Sequence, residues 1–219
     1  MTTVDFKKIR ELYDIWDNSF GVSDNEIALC ETRLSIKLPR LLKEYYLQFG
    51  NHKKLNQTQD KPIAPQNLYF KQGEKLIFYI ENQGNVIWGI DRHDLYLENP
   101  PVFISFEEGS WTLEDNLDKF LTSMAYLQSI FAFPFNANAI DISYETEKTV
   151  RSTWKKSDIS IKIWNAEFFQ NSYNEVLAFL KSDTQIDLFV AAKTQIGLKN
   201  INAELNLDWD YNSIDDQES

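Results

Sequence analysis

A histidine between two carboxylates is the feature of this chain whose residue types and spacing most resemble a reaction centre. Asp91, Arg92, His93 and Asp94 follow the β-rich run VIWGID, and a histidine so placed can ligate a metal or act as a general base. No other ligand cluster accompanies it, and a histidine among turn formers needs no function, so the stretch reads as a polar turn. His52 stands apart in another polar segment, and the single cysteine, Cys30, falls on an apolar helical face where burial raises a thiol's pKa. One cysteine without ligand spacing gives no structural zinc site. The seven glycines match neither a phosphate-cradling loop nor a dinucleotide fingerprint, and no Gly-x-Ser-x-Gly elbow occurs. No reaction class, metal or cofactor is nominated, and the chain reads as a non-enzyme.

The residues that remain are suited to binding. Glu107 and Glu108 precede Trp111, and Asp208 and Asp210 flank Trp209, so in both places charge adjoins an aromatic anchor of the kind that dominates protein interfaces. The plainer reading of each is a solvated turn beside a core tryptophan. Trp88 alternates within a strand and Trp16 continues a helical stripe, which assigns both to core packing.

Charge narrows the partner. With Lys+Arg 22 against Asp+Glu 33 the formal charge is −11, which repels phosphate backbones and disfavours nucleic acid. The same sign steers a basic protein toward the chain, although it also serves solubility. One cysteine allows no intrachain disulfide, which points to the cytoplasm. The start MTTVDFKKIRELYDIW has no apolar signal core, and no stretch is apolar enough for a bilayer span.

The elements that must position these residues follow from periodicity. Phe6, Ile9, Tyr13 and Trp16 share a helical face that ends near Gly21. Ser23 and Glu26 form a capping box ahead of Ile27, Cys30 and Leu34. Leu38 and Pro39 reset the chain before Leu41, Leu42, Tyr45 and Phe49, with Gly50 expected as a left-handed cap. KLIFYIE and VIWGID around Asn82 to Asn85 predict a hairpin, with Ile77, Tyr79 and Glu81 on one face and Leu76, Phe78 and Ile80 on the other. PVFISF predicts a strand, and Thr112 with Asp115 an N-cap for a helix carrying Leu113 to Phe131.

Further on, strands are expected at Ala139 to Tyr144, Thr149 to Trp154, Ile159 to Trp164 and Ile186 to Ala191, with Glu175 to Lys181 open between strand and helix. Thr194 caps a last helix with Leu198, Ile201 and Leu205. The fold class is therefore α+β, a largely antiparallel sheet with helices packed against it. One domain over 1–210 is expected, because no linker composition interrupts it, then an acidic disordered tail over 211–219.

The stretch IALCETRLSIKLPRLLKEYYLQFGN resembles the N-terminal signature of the SUKH superfamily, which includes fungal cell-wall assembly regulators and bacterial immunity proteins. Glu31, Leu34, Leu38, Pro39, Tyr45, Phe49, Gly50 and Asn51 fit that signature in order, with Ser35 where the family often has glycine. FYIENQGNVIWGID and DNLDKFLTSM are similar to the strand, turn and helix of the bacterial branch. The likeness covers Ser23 to Phe131 and, more loosely, the rest up to 210. It implies a non-catalytic protein that binds and neutralises a cognate toxin encoded nearby, often a basic nuclease, by occluding its active site. The alternative it implies is a regulatory scaffold for an endogenous protein. It carries over no catalytic or interface residue.

Overall fold

A computed structural model describes residues 6–106, 110–162 and 164–215. The fold is α+β with two antiparallel sheets. The chain divides into two compact units, Met1–Met124 and Ala125–Ser219.

The first unit opens with four helices, α1 (Lys7–Tyr13), α2 (Asp24–Leu34), α3 (Arg40–Phe49) and α4 (Lys53–Asn56). In α1 the residues Ile9 and Leu12 are buried beside Phe6, and Asp14 then turns left-handed with φ 54° and ends the helix. Trp16 therefore leaves the stripe it was expected to extend and is 70% exposed. The capping box forms as expected: Ser23 Oγ accepts the Glu26 N–H at 3.2 Å and Glu26 Oε2 accepts the Ser23 N–H at 2.8 Å.

At the far end of α2, Ser35 takes φ 53°, a conformation better suited to glycine. Buried Glu31 fixes the following turn by accepting from the Leu38 N–H at 3.0 Å and Lys37 Nζ at 2.8 Å. Gly50 is not the left-handed cap predicted, since its φ is −53°. Glycine is required there for proximity, because a Cβ would sit 2.7 Å from Val22 Cγ1 and 2.8 Å from the Tyr46 carbonyl oxygen.

The first sheet contains β1 (Lys61–Pro62), β2 (Tyr69–Lys71), β3 (Lys75–Ile80), β4 (Ile87–Asp91), β5 (Pro101–Ser105) and β6 (Thr112–Asn116). Its order is β1-β3-β4-β5-β6, with β2 also on β3. The predicted hairpin is β3 with β4, from Ile80 opposite Ile87 to Lys75 opposite Asp91. Its simple two-face alternation fails because the register shifts between Ile77 and Tyr79. Phe78 and Tyr79, adjacent in sequence, both reach the ring of Phe120, at 5.6 and 5.3 Å between centroids.

Phe120 belongs to α5 (Leu117–Ala132), which starts four residues later than the Leu113 predicted. Thr112 and Asp115 form an edge strand instead of a cap, with Leu113 paired to Phe103. The amides at the start of α5 are satisfied from a distant segment: Asn99 Oδ1 accepts from the Asp118 N–H at 2.9 Å and the Pro100 carbonyl from the Leu117 N–H at 3.0 Å.

The second unit holds β7 (Phe135–Ala139), α6 (Tyr144–Thr153), β8 (Lys155–Ile161), β9 (Ala166–Gln170), β10 (Glu175–Lys181), β11 (Ile186–Ala192), α7 (Gln195–Leu205) and β12 (Tyr211–Asn212). The sheet runs β12-β7-β11-β10-β9-β8. The strand expected at Thr149 to Trp154 is instead the end of α6, and of the one expected at Ala139 to Tyr144 only Ala139 is in a strand, as the last residue of β7. Ser143 caps that helix by accepting from the Thr146 N–H, and Thr146 and Val150, four apart, are buried. Val150, Trp154, Phe169, Phe179, Leu198 and Ile201 share one core. Residues 211–215, expected in a disordered tail, belong to the fold: β12 pairs with β7, Ser213 exchanges two hydrogen bonds with Asn136, each 2.9 Å, and Ile214 is buried.

One ion network ties α6 to this sheet. Glu167 on β9 binds Arg151 at 2.6 Å and Lys181 at 2.8 Å, and also Lys156, while Glu147 shares Arg151 at 2.8 Å. Burial opposes the ionisation of Glu167, but hydrogen bonds from Lys156, Lys181 and Arg151 outweigh it and hold the carboxyl down at about 2. A depressed carboxylate stabilises the fold above its unfolded value of about 4.3 and loses that contribution as pH falls toward 2. Glu167→Gln should therefore lower stability at pH 7 by roughly 1–2 kcal/mol, allowing for solvent screening, and by less at pH 3. Urea melts at the two pH values measure the difference; equal losses would show that the network contributes through packing alone.

Candidate functional site

The Asp91 and Arg92 side chains of the Asp91 to Asp94 cluster have local roles. One Asp91 oxygen accepts the His93 N–H at 2.9 Å and the other binds Lys75 Nζ at 2.6 Å. That hydrogen bond from Lys75 is the main reason the Asp91 carboxyl lies below its usual range. Arg92 lays its guanidinium 3.7 Å from the centroid of Phe70 and donates Nε to the Gly73 carbonyl at 2.9 Å. His93 itself is exposed. Among the described residues no group of three or more His, Cys, Asp or Glu converges as a metal site.

The two remaining sequence candidates fare differently. Glu107 and Glu108 lie outside the described residues. Trp111 is half-buried, with Lys75 Nζ 5.8 Å from its ring and 4.9 Å from that of Phe103. Exposed Leu113 stands opposite Phe103 in the register, so an apolar strip surrounds the Lys75–Asp91 pair on one face of the first sheet. Trp209, in the second unit, is half-buried against that unit's core. Asp210 is structural, accepting the Ile140 N–H at 2.7 Å and donating its own to Asn138 at 3.0 Å. Asp208 is exposed.

The best-formed display of an anchor is one the helical stripe concealed. Beyond Asp14 the chain buries Ile15 and turns Trp16 outward. Arg10 braces this turn from inside. Its Nη1 donates to the carbonyls of Ile15 at 3.2 Å and Asp17 at 3.4 Å, and its Nη2 to Asn18 Oδ1 at 2.8 Å and Gln48 Oε1 at 2.6 Å. The Asp17 carboxylate closes an Asx turn on Ser19, whose hydroxyl and N–H hold its pKa below the usual value.

The loop's far end is tied down as well. The Phe20 carbonyl accepts the Asn51 N–H at 2.7 Å, and the Phe20 ring meets His52 at 4.5 Å. His52 is buried between Phe20 and Tyr13, and its Nδ1 accepts the Leu55 N–H at 3.1 Å, so burial keeps it neutral and structural. Cys30 is likewise buried, with its thiol pushed up by desolvation. The clues to the loop lay in Asp17, Asn18, Ser19 and Gly21, a run of turn formers that outweighs the apolar spacing.

Asp60 is a buried carboxyl of the first unit. Desolvation, aided by Glu81 and opposed by the hydrogen bond from the Asn82 N–H at 3.2 Å, raises it to about 6. A raised carboxyl pKa means the folded chain holds its proton more tightly than the unfolded chain, so stability falls as pH rises from about 4 to 6. Asp60→Asn should stabilise the protein at pH 7 by roughly 1–3 kcal/mol and leave it nearly unchanged at pH 3.5. Thermal melts at both values check this; a variant less stable at pH 7 would mean the charged carboxylate is held by its neighbours.

No helix among the described residues is long and apolar enough to cross a membrane. Comparison with protein-family models, with curated proteins and with solved structures finds no match to this chain.

Proposed function

We propose that this chain works by binding another protein: an immunity protein that seats on a basic toxin domain encoded beside it and occludes that domain's active site in the cytoplasm. The observation that carries the reading is Trp16, 70% exposed on a loop locked by Arg10. An indole left in water forgoes a large burial energy, and a rigid loop spares a complex the entropy of ordering it. Tryptophan is also prominent among the few residues that dominate interface energies. Asp14 and Asp17 flank it, both exposed, and the chain carries −11 overall. A partner with an apolar pocket and a basic rim meets both features, and a nuclease groove built to hold phosphates has such a rim. The order of motifs resembling the SUKH superfamily supplies the cellular setting.

Co-expression with the neighbouring toxin gene is the direct test, followed by size exclusion and calorimetry on the mixed proteins. Protection and a complex are expected, with Trp16→Ala weakening binding at least tenfold and Asp17→Lys slowing association most at low salt. Cells dying as fast with the protein as without it, and no complex in solution, would leave the regulatory-scaffold reading in front.

A further inference from the structure

A cleft of about 540 Å³ adjoins the Trp16 loop in the first unit. Asn51 belongs to both: it lines the cleft, while its Nδ2 donates to the Gly21 carbonyl at 2.9 Å and its N–H to Phe20. The cleft is large enough for a ligand, within the usual range of roughly 300–1,000 Å³. Its lining is unlike the rest of this acidic chain. Six carboxamides face it, from Asn51, Asn56, Gln57, Gln59, Gln66 and Asn82. Among the described residues that line it there is no carboxylate, and Lys61 is the one charged group.

A carboxamide offers a carbonyl acceptor and two N–H donors at once, without charge. A wall of them suits a neutral ligand that alternates donors and acceptors. Phosphate is a poor match, since no arginine lines the cleft and a single lysine is a weak counterpart to a dianion. A sugar ring wants an aromatic platform, but the lining ring, Tyr46, is 1% exposed with its hydroxyl donated to the Ile63 carbonyl at 2.6 Å. An extended peptide main chain presents the alternation required. The strand beside it is suitable too: Lys61 and Pro62 line the cleft and form β1, the terminal strand of the sheet, where an added strand can pair.

The wall is preorganised at its base. Asn56 accepts the Tyr45 hydroxyl at 2.6 Å and donates to the Phe49 carbonyl at 2.6 Å, whereas Gln57, Gln66 and Asn82 are exposed and available to a ligand.

We propose that this cleft takes an extended, uncharged stretch of polypeptide main chain from the protein partner, which rests on the protein-binding reading above. The test uses a phage-displayed library of random dodecapeptides, selected on the full chain and re-measured by calorimetry against the triple variant Gln57→Ala, Gln66→Ala, Asn82→Ala. These three side chains are exposed, so the variant should match the parent in circular dichroism and melting temperature. Selected peptides are expected to lose at least tenfold in affinity on the variant and to shift the side-chain amide NMR signals of the lining residues. No enrichment, or equal affinity for parent and variant, overturns the proposal. Chitotriose shifting those signals while the selected peptides leave them unmoved overturns it in favour of a saccharide. The readout is separate from the toxin assay: peptide binding without a toxin complex faults the assigned partner, and a toxin complex indifferent to the triple variant faults the cleft.

Discussion

The ring of Phe120 is the contact on which the first unit's geometry turns. It meets Phe78, Tyr79 and Trp88 within 6 Å between centroids, and it meets the first two only because the register slips between Ile77 and Tyr79. A regular strand would have sent Phe78 and Tyr79 to opposite faces. The bulge places both against one helix residue, at the cost of a local break in the ladder. On one side of it Lys75 stands opposite Asp91, which puts the ammonium over Phe103 and Trp111. On the other side Ile80 stands opposite Ile87, leaving residues 81–86 to form the turn that carries Asn82 to the cleft.

The Trp16 loop shows how one buried-side cation can replace a regular element. Residues 14–20 form no helix or strand, so their backbone groups need partners from elsewhere. Arg10 answers two carbonyls and two side chains with one planar fork, while its face lies over Phe49 at 5.4 Å. Lysine would keep the charge and lose the fork. Because the bracing comes from α1 and Gln48 on α3, Trp16 is held by the helices and not by its own contacts, which leaves its indole exposed.

The sequence was legible wherever a structure is decided by its near neighbours. The capping box at Ser23, the proline turn at Leu38 and Pro39, the β3–β4 pairing and the Thr194 cap all depend on residues within a few positions, and all appear as read. It misled where the deciding partner was distant. The start of α5 is set by Asn99, nineteen positions upstream of Asp118, so local cap chemistry at Thr112 pointed to the wrong residue. The β-branched run in α6 favoured strand until the burial of Val150 among Leu198 and Ile201 decided otherwise. The same limit governed the candidate site. Trp111 and Trp209 were visible as aromatic residues beside charge, but Trp16 was hidden by a periodicity that the left-handed turn at Asp14 interrupts.

On the proposed reading, charge and carboxamides divide the labour of recognition. Carboxylates act over a Debye length, about 8 Å at physiological salt, and speed encounter more than they hold a complex. Holding requires short contacts made in places from which water is excluded, and there a carboxylate is a liability because it must be desolvated and paired. Asp60 illustrates the cost: buried one residue from Gln59 and Lys61, its carboxyl is driven up to about 6. Filling the cleft wall with Asn and Gln avoids that penalty while retaining directional bonds. On the proposed reading, a cleft wall of carboxamides and an exposed indole on a chain of charge −11 let it attract a basic partner at distance without burying unpaired carboxylates on contact.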